Sequence, residues 1–409
     1  MELKDLYGLG AEKGAFARRT EKLAAQYEKL TGKKPEGFFS ASGRAEICGN
    51  HTDHNHGKVL VAAISCDVLA AVGKTDDGVI RVHSEGFPPF AMQVNELAVN
   101  KAEYGKSVAL ARGVVKALKD RGYDVGGFTA VTESTIFRGA GVSSSAAFEL
   151  LITEICNDLY LGGKLNKVEK AIISQYAENE YFGKPCGLLD QSGISLGGIN
   201  RIDFQEPASP AIETLSAPEG YTLVITNTGG SHAALTEYYA AIKAEMHEVA
   251  NCFGKQFLRD VPPEKFYTEI PALRKKVSER AILRACHFYE ENERVDAAAE
   301  ALKTGRTADF LAAIEASGKS SLNCLQNCFV PGSSEQPVTL AIHISDRIIR
   351  DGAVRVHGGG FAGTVLAYLA DREVAGYVDA MRKLFGQENV FTANVRKYGA
   401  TRLQMEELL

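Results

Sequence analysis

The chain of 409 residues has no apolar stretch approaching the ~20 residues that a membrane span requires. A membrane-spanning protein is therefore not expected. It has no excess of positive charge: the formal net charge is −5, and the basic residues are dispersed. That argues against nucleic acid or an anionic membrane surface as the main partner. Met1–Asp5 is charged and lacks the apolar core of a signal peptide, so a cytoplasmic location is expected. The eight cysteines are scattered and several sit in apolar stretches, as at Cys66 and Cys156. That pattern suggests reduced, buried thiols rather than a disulfide framework. Cys324 and Cys328 lie four apart, but no matching pair or histidine nearby completes a zinc site, which leaves them a helical packing role. No internal repeat and no low-complexity linker interrupts the chain. With 45% hydrophobic and 24% charged residues, the composition is that of a globular protein of about two domains.

What stands out instead is the run Gly139-Ala140-Gly141-Val142-Ser143-Ser144-Ser145-Ala146-Ala147. Phe128–Thr132 before it alternates like a strand. Phe148, Leu151, Ile152, Ile155 and Leu159 after it recur at helical spacing. Strand, glycine loop and helix aim free backbone N–H groups and a helix dipole at an anion. Glycine allows close approach to phosphate oxygens, and the serine hydroxyls suit capping, phosphate or Mg²⁺. The competing reading is a glycine-serine turn that caps a buried helix and needs no ligand. No Gly-Lys-Ser/Thr follows, so this is not a Walker loop.

The remaining pattern is mixed. Helices are expected at 12–31, 108–121, 144–160, 167–182, 233–252, 278–303, 307–317 and 336–350. Strands are expected at 223–226, 353–356 and 364–368. Residues 59–72 are apolar and β-branched, and Gly78 turns into Val79–His83, which reads as a hairpin. Pro207, Pro210 and Pro218 mark a boundary, dividing the chain into 1–205 and 206–409. Helices and strands do not alternate strictly, so the fold class is α+β rather than a doubly wound sheet.

Two further segments are dense in polar residues and glycine. Gly43–Gly57 carries Arg44, Glu46, Asn50, His51, Asp53, His54 and His56. Its three histidines could ligate metal, but loops of this polarity more often bind a polyhydroxyl ligand or form turns. Glu178–Gln191 places Asp190 after two leucines, either as a helix cap or as a working acid–base group. A third glycine cluster occupies Gly358–Gly363.

In this order, Gly43–Gly57, Gly139–Ala147, Pro185–Gln191, Asn227-Thr228 with His232 and Tyr239, and Gly358–Gly363 resemble the galactokinase branch of the small-molecule kinases that include homoserine, mevalonate and phosphomevalonate kinases. The resemblance spans essentially the whole chain. It implies two α+β domains with the active site in the cleft between them, and ATP-dependent phosphorylation of a galactose-type sugar at its anomeric hydroxyl. It implies that Asp190 is the catalytic aspartate with Arg44 beside it, and that Ser145 and Glu178 hold Mg²⁺. Sugar contacts fall on Arg44, Asn50, His51, Asp53, Gly187, Asp190 and Tyr239. The phosphate loop comprises Gly139, Ala140, Gly141, Ser143, Ser144 and Ser145. The third glycine cluster is implied to support the loop and the cleft.

The match departs at several points. Asn50 stands where galactokinases usually carry a glutamate that contacts the sugar's C6 hydroxyl, and His54 where they carry tyrosine. Glu46 replaces the usual asparagine and Ala362 a usual glycine, and residues 328–337 are atypical. Loss of a carboxylate at position 50, with histidine added nearby, makes galacturonate or another C6-modified sugar the competing substrate. Two other classes are a non-catalytic sugar sensor and a kinase for a non-sugar alcohol. Retention of Asp190, Arg44, Glu178 and Ser145 argues against the first, and the Gly43–Gly57 segment against the second.

Overall fold

The computed structural model describes residues 1–136, 141–230, 235–361 and 363–408. Two helices, α1 (Leu3–Tyr7) and α2 (Lys13–Thr31), precede the long strands β1 (Gly37–Cys48) and β2 (Lys58–Thr75). Then follow β3 (Val79–Ser84), β4 (Phe90–Gln93), α3 (Ser107–Asp120), β5 (Gly127–Ser134), α4 (Ser144–Leu161) and α5 (Lys167–Tyr176). A single π turn, Ala177–Phe182, extends α5. The next elements are α6 (Leu189–Leu196), β6 (Ile199–Asp203), β7 (Ala211–Leu215), β8 (Tyr221–Asn227), α7 (Thr236–Asn251), α8 (Pro263–Leu273), α9 (Glu279–Lys303) and α10 (Thr307–Ser320). The chain closes with α11 (Pro337–Ile348), β9 (Gly352–His357), β10 (Thr364–Ala370), α12 (Asp371–Phe385), β11 (Val390–Ala393), β12 (Thr401–Arg402) and α13 (Met405–Leu408).

The strands form two sheets. In the first, the order β12-β1-β2-β5-β3-β4 is joined by β6 and β7, with β6 paired to β2. All pairs are antiparallel except β3 with β5. β2 is long enough to share one edge: Lys58–Ala62 pairs with β6, and Val68–Thr75 pairs with β5. The expected hairpin between residues 59–72 and 79–83 does not form, because β5 sits between β2 and β3. Val131 of β5 is buried and Phe128 and Ala130 fully so; burying that strand between two neighbours outweighs a local hairpin. The second sheet, β11-β8-β10-β9, is antiparallel and packs on α10, α11 and α12.

Both faces of the first sheet's centre are covered, so β1 and β2 read as near-continuous buried runs rather than alternating ones. Helix α4 is likewise buried almost all round, from Ala146 to Asn157. α9 spans the molecule, touching β1, β2, β6 and β7 of the first sheet as well as α7 and α10.

Candidate functional site

Two register shifts in β1, between Ser42 and Gly43 and between Glu46 and Cys48, bracket the short segment that carries Arg44 and Glu46. Such bulges redirect side chains that a regular strand would alternate. Arg44 is buried, and its Nε and Nη2 each donate to Asp190 Oδ1 at 2.8 Å. Its Nη1 donates to the Gly141 carbonyl, while the Ser143 hydroxyl donates to Asp190 Oδ2. The strand, the glycine-serine loop and α6 thus meet at one carboxylate. Burial pushes the Asp190 carboxyl up, but Arg44 and the Ser143 hydroxyl outweigh it and hold it below the ordinary carboxylate range. Asp190 also lies in the first turn of α6, where the helix dipole favours an anion.

Ser143, with φ 63°, is the N-cap of α4, and Ser144 opens that helix. Gly141 is also left-handed, and a Cβ there would overlap Thr364 Oγ1. Gly139 and Ala140 of the expected phosphate loop, with His232 and Ala362, lie outside the described residues. One turn into α4, the Ser145 hydroxyl donates to Glu178 Oε1 at 2.8 Å. Glu178 sits on the π turn, an element that often marks functional positions. Lys184 Nζ lies 3.1 Å from the same oxygen, and Gln191 Nε2 donates to Glu178 Oε2 at 2.8 Å. Among the described residues, no three His, Cys, Asp or Glu side chains converge to hold a metal.

The Gly43–Gly57 segment turns back beside this junction. Asp53 Oδ2 accepts the Leu189 N–H at 3.2 Å, just where a Cβ on Gly187 would overlap it, so Gly187 is needed for the carboxylate to approach. Burial raises the Asp53 carboxyl above its ordinary range, with Asp190 contributing. His51 takes φ 57°, and its Nε2 donates to the Gly359 carbonyl at 3.0 Å. Burial lowers its imidazole to about 4. Tyr239 donates to the Gly360 carbonyl at 3.1 Å, and a Cβ on Gly359 would fall 2.6 Å from the tyrosine ring. The third glycine cluster therefore abuts His51, Tyr239, Gly141 and Arg44. The three loop histidines part company: His51 and His54 have ring centres 5.7 Å apart, while His56 stacks on Phe257.

Asn50, expected as a sugar contact, has its amide engaged within the protein. It is fully buried, and its amide donates to Glu46 Oε1 at 2.7 Å and to the Gly358 carbonyl at 2.8 Å. Its Oδ1 accepts from Asn327 Nδ2 at 2.7 Å. The nearby carboxylate belongs to Glu46, whose Oε1 also meets the fully buried Arg355 at 3.1 Å. Burial raises Glu46 to about 7, against the pull of Arg355 and Arg44.

The sequence reading missed Glu149, Gln191 and Arg355. Glu149 is buried one helical turn beyond Ser145, bridged to Glu178 by Gln191, and burial with Glu178 beside it raises its carboxyl well above the usual range. The i, i+4 spacing from Ser145 was the available signal. Arg355, a charge inside the apolar run 353–356, was another.

The galactokinase galactose-binding signature matches residues 25–74, and the GHMP kinase N-terminal domain matches residues 109–198. The fold superposes on that of the Lactococcus lactis galactokinase crystallised with galactose, with a TM-score of 0.83 at 23% identity, covering 94% of this chain and 100% of that one. Methanococcus jannaschii mevalonate kinase shares it more distantly, with a TM-score of 0.62 at 15% identity over 88% of this chain and 98% of the other. In sequence, a galactokinase from Glaesserella parasuis is 30% identical over 88% of this chain and 91% of its own. With the Streptomyces coelicolor galactokinase the identity is 31%, carried over 91% of this chain and 92% of that relative, and on that breadth of likeness the chain belongs to the galactokinase family.

Proposed function

We propose that this protein transfers the γ-phosphoryl group of ATP to the anomeric C1 hydroxyl of galactose. The observation that carries the reading is the junction of Arg44, Ser143 and Asp190 at the N-terminus of α4. Phosphoryl transfer needs an aligned hydroxyl and a field that neutralises charge on the phosphate, more than covalent help. α4 supplies free N–H groups and its dipole toward phosphate oxygens, and Arg44 adds a fixed positive charge.

Asp190, held ionised by Arg44 and Ser143, is a weak base but a constant acceptor. It orients the C1 hydroxyl and takes its proton late, worth roughly 10²–10⁴-fold as general base catalysis. His51, Asp53 and Tyr239, with the space left by Gly187, form the sugar side of the site. Gly139, Ala140, Gly141, Ser143, Ser144 and Ser145 form the phosphate side.

Ser145 and Glu178 fit Mg²⁺. One hydroxyl and one carboxylate oxygen, 2.8 Å apart, are the sparse hard donor set that this ion takes when phosphates and water complete its shell. Bound there, it would neutralise phosphate charge. The site would lie between two domains, but the division into 1–205 and 206–409 cuts the first sheet, because β7 and β12 pair with β6 and β1 there.

The case for galacturonate rested on the absence of a carboxylate at position 50. Glu46, hydrogen-bonded to Asn50, still brings a carboxyl group beside that position, which weakens that case. ADP release measured with galactose, N-acetylgalactosamine, galacturonate, glucose and arabinose tests the reading. Turnover is expected with galactose; turnover confined to another sugar overturns the substrate, and binding of sugar and ATP without ADP release overturns the kinase.

A further inference from the structure

The sugar-side loop is held by an element that the sequence gives no reason to connect with it. Helix α9 lies more than 230 residues downstream, and one side of it meets the backbone of residues 49–58. Glu291 Oε1 accepts the Gly49 N–H at 2.8 Å and the Asn50 N–H at 3.4 Å. One turn earlier, His287 Nε2 donates to the Asn50 carbonyl at 2.9 Å, while Nδ1 accepts from the Ser320 hydroxyl at 2.9 Å. Asn292 Oδ1 accepts the Lys58 N–H at 2.6 Å at the loop's other end. Glu291 and His287 are both fully buried.

The held backbone is unusual. Gly49 has φ 100°, a Cβ there would fall 2.6 Å from Val59 Cα, and His51 is a left-handed non-glycine residue. For a non-glycine residue such a conformation is strained and persists only where the surroundings over-determine it. The loop's own residues place nothing on the Gly49 and Asn50 N–H groups; a single carboxylate takes both. That carboxylate is in turn fixed by the Ser317 hydroxyl on Oε1 and by Arg294 Nε on Oε2 at 2.7 Å. Burial would push it up, but the Arg294 and Arg355 guanidiniums and the Ser317 hydroxyl hold it well below the usual range, so the acceptor stays charged.

We propose that Glu291 is a positioning residue for the sugar site: by holding the Gly49 and Asn50 N–H groups from α9, it sets the loop conformation that aims His51 and Asp53 at the sugar. This rests on the assignment of that loop to galactose. Glu291 is fully buried against the loop backbone, so its influence passes through the loop to galactose binding and leaves the nucleotide side, built on α4, unaffected.

The test compares Glu291→Gln and Glu291→Leu with Asp296→Asn. Asp296 lies on the same helix but holds the Lys58 and Arg201 side chains rather than the loop backbone. Galactose KM is expected to rise about tenfold or more in Glu291→Leu and less in Glu291→Gln, which keeps an acceptor oxygen. KM for ATP should stay within about twofold throughout, and Asp296→Asn should lower the melting temperature without moving galactose KM. If Glu291 only stabilises the fold, both sites lower the melting temperature and galactose KM stays put, which overturns the proposal. Should the Glu291 variants fail to fold, Ser317→Ala loosens the same carboxylate more gently. A few-fold rise in galactose KM at unchanged ATP KM then supports the proposal, and no rise overturns it. Absence of galactose turnover in the unaltered protein would instead sink the function reading itself.

Discussion

Replacing Arg44 with methionine removes the charge from Asp190 while roughly keeping the side chain's apolar bulk. Arg44 makes two N–H contacts at 2.8 Å to Asp190 Oδ1, and the guanidinium is 5% exposed against 27% for the carboxylate. Hydrogen bonds to charged groups contribute about 1.5–3 kcal/mol each when shielded. Both contacts share one oxygen and the carboxylate is partly solvated, so a loss of about 2–3 kcal/mol of transition-state stabilisation is a reasonable sum. That corresponds to roughly a 30- to 150-fold fall in kcat/KM for galactose. A second effect identifies the cause. Burial acts upward on the Asp190 carboxyl and Arg44 is the largest influence acting downward, so its removal raises the pKa and makes the aspartate protonate at a higher pH. The acid limb of the pH–rate profile should therefore move to higher pH. Coupled ADP-release rates between about pH 4.5 and 8, with a melting curve for each protein, measure both. A folded variant with kcat/KM within about threefold of the parent and an unmoved acid limb would refute the reasoning.

Gly187→Ala puts a methyl group onto Asp53 Oδ2, so galactose KM should rise at least about tenfold while ATP KM holds; steady-state kinetics in both substrates check this, and an unchanged galactose KM contradicts the close approach. Glu46→Gln keeps the acceptor for Asn50 but removes a group that titrates at about 7, so activity should lose pH dependence between about pH 6 and 8; a profile identical to the parent's would count against that role. His51, His54, His287 and His357 are all pushed below the ordinary histidine pKa by burial, so they stay neutral when folded and bind protons when unfolded. Stability from these groups is complete above about pH 6.5 and is lost as pH falls toward the folded values, by about 3 kcal/mol for His51 alone. Glu46, raised to about 7, acts the other way, and so do Asp53, Glu149, Glu154 and Asp346, whose carboxyls burial also raises, so the histidine share shows only against a variant that lacks one of these imidazoles. Between pH 7 and pH 5 the parent should therefore lose more melting temperature, or gain less, than His51→Gln does, and the same pH response in both proteins would contradict the burial of that imidazole.

Elements whose signal is local were legible in the sequence. The strand at 128–132, the glycine-serine turn and the helix behind it appear as β5, the Ser143 cap and α4, because turn chemistry and periodicity suffice there. Helix α8 escaped notice because it opens on Pro262-Pro263 and contains Pro271, which breaks the usual helical pattern. The pairing of β2 could not be read locally either: a glycine turn at 78 looks the same whether or not β5 is inserted between the strands it joins. At the site, residue types in sequence brought the serine turn and Asp190 to notice and the family resemblance singled out Arg44, Ser145 and Glu178, and the fold brings them together. The partners of Asn50 were not legible. Its amide meets Glu46, Gly358 and Asn327, the last two about 300 and 280 residues away in sequence. Contacts of that range, like those of Glu291, leave no periodicity to find.

The claim that Asp190 serves transfer to galactose is tested most directly by quantifying ADP and galactose 1-phosphate together, for the unaltered protein and for Asp190→Asn. The account predicts equal amounts of the two products from the unaltered protein, and a kcat lower by at least about 10²-fold in a variant that stays folded. ADP release without galactose 1-phosphate, or a folded Asp190→Asn with near-parental kcat, would contradict it.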